Sequence, residues 1–361
     1  MTQPIKPPSL TARPCSRRTF LKLTGAAGAA ALFPLPRSAA RAAVDVAQAK
    51  PFTLVVLPDT QCYADTRIKY AAGHWGNGDL RANFYAQTQW VKDNKDKLNI
   101  AMVTHVGDIV QTNYPEEWAI ADKAFKTLDG AVPYTLCLGN HDMGVLPDPQ
   151  DPNKFHTATS RKTLLNDYFP PARFENQPWY GGHLGEGNDN YYCLFKGAGM
   201  DFLVLSLEFT PRDATLDWAN DVMRRHPNHR TIVNTHEYLT PDSIRSDKTK
   251  YPVKGNHGEA VWAKFVSRHK NIFLVVCGHY CREGRLTSTG ANGNQVHQLL
   301  SDYQDMHNGG DGYLRTMTFM PDQNRIDVKT YSPVLDAYLT GPTSQFSIEH
   351  AMQSAVNVSA A

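Results

Sequence analysis

The sequence predicts an α/β protein built on a largely parallel sheet. Three observations predict it. Short, continuous apolar runs rich in β-branched residues recur along the chain. Stretches with apolar residues at helical spacing separate them. A polar residue able to hold a metal follows each run almost at once. Continuous apolar runs suit strands buried on both faces. Strand, helix, strand in succession implies parallel pairing through crossover helices. In such sheets ligands bind beyond the carboxyl ends of strands. Polar signals at successive run ends therefore converge on one place.

The runs come in order. Residues 52–58 lead to Asp59, residues 100–106 to Gly107-Asp108, and residues 132–138 to Gly139-Asn140-His141-Asp142. Residues 231–235 lead to His236, and residues 272–277 to Gly278-His279. Helices are expected over 84–98, where Phe84, Gln87, Val91 and Leu98 share a face, and over 118–128, where Trp118, Ala121, Phe125 and Leu128 do. Residues 216–225 and 259–269 read similarly. Two regions break the alternation. Residues 143–190, rich in Pro, Gly, Asn and Asp and holding Phe169, Phe174, Trp179 and Tyr180, form an irregular insertion. Such a segment beside a site is usually a functional rim. Residues 314–320 and 325–331 alternate apolar and polar across a Pro-Asp-Gln-Asn turn, which predicts a β-hairpin completing a second sheet. The chain divides into a leader over 1–42, a linker over 43–50, one large domain over 51–340 and a tail over 341–361 with no clear signal.

The composition, 41% hydrophobic and 20% charged over 361 residues, excludes disordered and collagen-like chains. The net charge is +2, part of it in the leader, and no Lys/Arg stripe marks a nucleic-acid surface. Cys15 lies in the leader. Cys62, Cys137, Cys193, Cys277 and Cys281 show no CxxC pair and no disulfide framework. The leader contains Ser16-Arg17-Arg18-Thr19-Phe20-Leu21-Lys22, then a Gly/Ala-rich apolar stretch and small residues suited to cleavage. This resembles a twin-arginine export signal. The stretch is too short, and too interrupted by Pro34 and Pro36, to span a bilayer. The resemblance implies the twin-arginine export machinery as a partner and a periplasmic or secreted protein.

Asp59, Asp108, Asn140, His236 and His279 combine carboxylate and amide oxygens with imidazole, a donor set suited to Zn²⁺, Fe or Mn²⁺. A carboxylate between two metals can bridge them, and the pair can clamp a phosphate and activate a water. His141, beside Asn140, is placed to protonate a leaving group, with Asp142 near enough in sequence to tune it. His105 lies inside a run and reads as a core histidine. His183, Asn188 and Asn190 read as solvated loop residues, and Tyr303 and Tyr313 as packing.

Gly107-Asp108, Gly139-Asn140-His141-Asp142, His236 and Gly278-His279, in this order after strands, resemble the calcineurin-like metallophosphoesterase family. The resemblance runs from Asp59 to about Tyr331. It implies a four-layer αββα sandwich with two divalent metal ions. Asp108 would bridge them. Asn140, His236 and His279 would complete one site, and Asp59 with two further residues the other. The chain departs from the family at that second site. Asp59-Thr60-Gln61 stands where D-x-H is usual, although a subgroup of relatives has Asp-Thr-Gln. Gly278-His279-Tyr280-Cys281 stands where G-H-x-H is usual. Gln61 and Cys281 are therefore the candidates there, and that site is weaker, differently loaded or empty. The implied activity is hydrolysis of a small phosphate ester. The alternatives are a phosphodiesterase acting on nucleotides or phospholipid headgroups, and a metal-binding protein without catalysis.

Overall fold

The apolar runs become strands, and their alternate residues face different layers. The computed structural model describes residues 50–65, 79–148, 150–248 and 250–352. The leader and its cleavage region lie outside them. β1 (Phe52–Leu57), β2 (Ile100–His105) and β3 (Tyr134–Leu136) pair in parallel. Between them lie α1 (Gln61–Ala64), α2 (Arg81–Asn94) and α3 (Pro115–Lys126). α3 begins with Pro at its first turn beside Glu116 and Glu117 and ends with Lys123 and Lys126. That arrangement spares a backbone donor and opposes the helix dipole at both ends.

The insertion is more ordered than its composition suggests. It contains β4 (Leu146–Asp148) paired with β5 (Asp151–His156), α4 (Leu165–Tyr168), α5 (Pro171–Phe174) and β6 (Tyr180–His183). Its aromatics belong mainly to the core. Phe169 and Phe174 are buried in the core beside α3, and Trp179 and Tyr180 pack against it. Apolar rings in a polar stretch lower their free energy more by entering the core than by lining water.

β7 (Tyr191–Gly197), β8 (Met200–Ser206), β9 (Arg230–Asn234), β10 (Ile272–Cys277), β11 (Arg282–Thr289) and β12 (Gln295–Asp302) follow, with α6 (Asp213–Arg225) and α7 (Gly258–Lys264) between. α6 buries Leu216, Ala219, Val222 and Met223, one face at helical spacing. The chain ends in β13 (Leu314–Met320), β14 (Arg325–Ser332), β15 (Ala337–Leu339) and β16 (Gln345–Glu349).

Two seven-stranded sheets result. The first runs β15-β14-β13-β1-β2-β3, with β16 also on β14, and the second β11-β12-β10-β9-β8-β7-β6. The hairpin β13–β14 forms as expected but joins the first sheet, with β13 antiparallel to β1, rather than completing the second. Residues of the tail, which carried no signal, form β16, where Ile348 pairs with Ile326 and Met352 is buried between the sheets.

Leu54 and Val56 of β1 meet Phe202, Val204, Ile232 and Leu274 of the second sheet. Val55 and Leu57 face Phe84, Val91, Trp118 and Phe125 of α2 and α3. On the far side, Leu203, Leu205, Val233 and Val275 meet Leu216 and Val222 of α6 and Val261 of α7. The layers are thus helix, sheet, sheet, helix. No helix among the described residues is long and apolar enough to cross a membrane.

Candidate metal centre

The carboxyl ends of β1, β2 and β3 in one sheet and β9 and β10 in the other point the same way. Asp59, Asp108, Asn140, His236 and His279 follow these ends. Asp108 and His279 hold left-handed backbone, φ 50° and 75°, conformations that non-glycine residues keep only where the surroundings enforce them. Two glycines permit the close approach. A Cβ on Gly139 would stand 2.1 Å from Asp108 Oδ1, and one on Gly278 would stand 2.0 Å from Asp59 Oδ1.

Asp108, His236 and His279 offer ligand atoms all within 4.8 Å of one another. The His236 ring is fixed by Nδ1–H donating to Val106 O at 2.7 Å. Its Nε2 then lies 3.2 Å from Asp108 Oδ2 and 3.9 Å from Asp59 Oδ2. Acceptors facing each other in a dry interior need a cation or a proton between them. Asp59 Oδ2 accepts the His279 backbone N–H at 3.1 Å, and Asp108 Oδ1 that of His141 at 2.8 Å. Asn140 donates Nδ2–H to Thr157 Oγ1 at 2.9 Å, which leaves its Oδ1 free of partners. Asp59 Oδ1, Gln61 Oε1 and His236 Nε2 are likewise buried without a hydrogen-bond partner. Four unpartnered lone-pair atoms beside buried carboxylates fit divalent cations.

The electrostatics agree. Burial, then the nearby Asp302 and Asp108 carboxylates, push Asp59 well above the usual carboxylate range. Burial likewise pushes Asp302 up to about 7. Burial opposes ionisation of Asp108 too, but the His236 and His141 imidazoles hold it below that range. Burial and the His236 ring hold His279 down to about 3, the neutral form that ligates. Crowded carboxylates beside a neutral imidazole are what a bound cation relieves.

Thr157 gives a direct check. Thr157→Val removes the acceptor that orients Asn140. Metal affinity should fall about 10- to 100-fold, as for other residues that orient ligands, read by equilibrium dialysis in metal buffers. Unchanged affinity would remove Asn140 Oδ1 from the donor set.

The remaining candidates divide. Gln61 lies in the cluster, donating Nε2–H to Asp108 Oδ2 at 3.2 Å. The His141 ring donates through Nδ1 to Gln111 O at 2.7 Å, which leaves Nε2 available. The Asp142 carboxylate is engaged elsewhere. Its Oδ1 accepts the N–H groups of Ile109 and Val110 at 2.8 and 3.0 Å, and its Oδ2 that of Gly139 at 2.7 Å. Those loop donors claim the carboxylate, so Asp142 ties the loops after β2 and β3 together instead of tuning His141. Cys281, like Asp59, lies outside the mutually close group of Asp108, His236 and His279, and it is half-buried. Burial, then Asp302, Asp305 and Asp59, push its thiol well up, and both it and Cys62 are free.

His105 is a core histidine, bonded to Thr60 Oγ1 at 2.9 Å. Asn188 and Asn190 are buried, binding Phe169 O and the Glu208 N–H rather than water. His183 pairs with Tyr180, and Tyr303 packs inside, bonded to Glu283. Sequence reasoning missed Thr157, Asp302 and Gln304. Asp302 ends β12, whose sequence Gln-Val-His-Gln-Leu-Leu-Ser is no continuous apolar run, so the rule that marks the others gives no signal there.

A calcineurin-like phosphoesterase profile matches residues 53–283, and a twin-arginine signal profile matches residues 14–34. The chain is therefore exported by the twin-arginine route, and is periplasmic or secreted. It is 32% identical over 290 residues to the uncharacterized protein YvnB of Bacillus subtilis. That alignment covers 78% of this chain and 20% of YvnB, so the chain spans about a fifth of that relative's length. In fold it is similar to a dimetal phosphatase from Danio rerio, 16% identical with a TM-score of 0.50, over 83% of this chain and 99% of that one. A purple acid phosphatase from yellow lupin is 11% identical with a TM-score of 0.49, over 85% of this chain and 55% of that one.

Proposed function

The chain belongs to the calcineurin-like phosphoesterase family, and from that premise we propose that it hydrolyses small phosphate esters outside the cytoplasm with two divalent metal ions. Asn140, His236, His279 and Asp108 would hold one, and Asp59, Gln61 and the shared Asp108 the other. Bound there, Zn²⁺, Fe or Mn²⁺ would polarise the phosphoryl oxygens and lower the pKa of a coordinated water.

The chain's own groups supply the rest. Asp142, accepting three backbone N–H groups, holds the loops of Asp108 and Asn140 in one arrangement. The His141 backbone N–H fixes Asp108 Oδ1. The Gln111 carbonyl anchors the His141 ring, which presents Nε2 to deliver a proton to the departing alkoxide oxygen. The observation that carries this reading is the buried group of unpartnered lone-pair atoms on Asp59, Gln61, Asn140 and His236.

The test is to purify the metal-loaded protein, count metals per chain, and assay aryl monoester and diester phosphates beside His141→Ala. That variant should keep its metals and lose about 10²- to 10⁴-fold in kcat. The loss should shrink as the leaving group becomes more acidic, because a good leaving group needs no proton. A wild type that turns over neither ester class with any of several divalent metals sinks the proposal. The ratio of the two rates decides between monoesterase and diesterase.

A further inference from the structure

Resting on the two-cation reading above, we infer that Asp302 and Gln304 are positioning residues that turn the Gln61 amide so that its oxygen, not its nitrogen, faces the second cation. Gln61 stands where the family usually has imidazole, and an amide can present either end. Both oxygens of the Asp302 carboxyl act as acceptors here. Asp302 Oδ1 accepts the Gln304 backbone N–H at 2.9 Å, and Asp302 Oδ2 accepts Gln304 Nε2–H at 2.9 Å. The Gln304 amide is thereby oriented, with Oε1 directed away from Asp302. Gln61 Nε2–H donates to that Oε1. Gln61 Nε2 donates also to Asp108 Oδ2 at 3.2 Å. Both amide hydrogens of Gln61 are then committed, while Gln61 Oε1, buried and unpartnered, is left as the donor atom. All three residues are buried, with Asp302 at 0% and Gln61 at 2% exposure, so water cannot take over any link.

The topology explains why this strand end supplies the anchor. β12 runs parallel to β10, with Cys277 opposite Leu300, so Asp302 sits level with His279 at the mouth of the same sheet. Its carboxylate helps build the second site without needing to touch the cation.

The relay predicts a reversal. In Asp302→Asn, the new side-chain oxygen accepts the Gln304 backbone N–H and its NH₂ faces the Gln304 side chain. Gln304 must then turn its oxygen toward residue 302 and its NH₂ toward Gln61. Gln61 answers with Oε1, and its Nε2 is turned to the cation. A carboxylate at position 61 is indifferent to this reversal, because both of its ends are oxygen.

The experiment uses the full chain and Mn²⁺ as probe, read by metals per chain and by electron paramagnetic resonance titration. Wild type should bind two Mn²⁺. Asp302→Asn and the near-isosteric Gln304→Met should keep the first and bind the second about 10- to 100-fold more weakly. Gln61→Glu added to Asp302→Asn should restore the second. An Asp302→Asn or Gln304→Met protein with unchanged second affinity overturns the relay and leaves the proposed function standing. A double variant that does not recover overturns it also, since a merely structural loss would not respond to position 61. A wild type that binds fewer than two Mn²⁺ overturns both.

Discussion

Asp108→Asn should reduce kcat/KM on aryl phosphates by about 10³-fold or more and lower metal content from two per chain. The magnitude follows from the role. A carboxylate shared as proposed would serve both cations, and each cation would be worth several kcal/mol of transition-state stabilisation, with 1.36 kcal/mol per decade. Asp108 Oδ2 lies 3.2 Å from His236 Nε2 and from Gln61 Nε2, so a single oxygen meets residues of both half-sites. Asparagine is the better replacement. Asp108 holds φ 50°, where alanine is strained by about 1–2 kcal/mol whereas asparagine is tolerated. Asp108→Ala would therefore confound misplaced backbone with missing charge. Asp108→Asn retains the shape and the left-handed turn and removes the charge alone. Retention of more than a tenth of wild-type activity by this variant would dismiss Asp108 as the bridge.

The site was legible because the strands that carry it are buried on both faces. Their apolar runs stop abruptly, and the first polar residue past the stop marks the strand's carboxyl end. That rule located Asp59, Asp108, Asn140, His236 and His279. The same double burial hid the layering. A strand whose Leu54 and Val56 face one layer while Val55 and Leu57 face another shows no alternation. The hairpin pointed to a second sheet, but only the family resemblance implied that the two stack. Asp142 follows His141 directly in sequence, but its hydrogen bonds run elsewhere. Its side chain serves backbone donors on another loop, which no spacing reveals. Asp302 gives no run-end signal because β12 carries His297, Gln298 and Ser301 among its apolar residues, and its parallel pairing to β10 skips over β11. β16 was invisible because edge strands satisfy only part of their backbone and bury few side chains.

Arg315→Met should cost about 3–5 kcal/mol of folding stability, because it strands a buried carboxylate. Arg315 belongs to β13 of the first sheet, opposite Val56 and close to the Asp59 end of β1. Its guanidinium reaches across to the second sheet, donating to Glu283 Oε1 at 2.6 Å and to Leu300 O at 3.0 Å, and also to Thr343 O at 3.1 Å. Glu283 accepts in turn from Tyr303, Thr330, Thr343 and Ser344. The pair therefore ties the two sheets together near the metal centre, and side-chain exposures of 1% and 8% leave water little part in it. Burial raises the Glu283 carboxyl, but Arg315 and the hydroxyl donors outweigh it and hold the group below its usual value. A carboxyl lowered on folding stabilises above its unfolded pKa, about 4.3. That contribution is lost as pH falls through the lower folded value. Urea titrations should thus show the Arg315→Met deficit in full at pH 7 and diminished toward pH 3. Adding Glu283→Gln to Arg315→Met should recover most of the loss at pH 7, since it removes the stranded charge. A double variant no more stable than Arg315→Met would show that the arginine stabilises through its other contacts, and that the charge pair does not hold the sheets together.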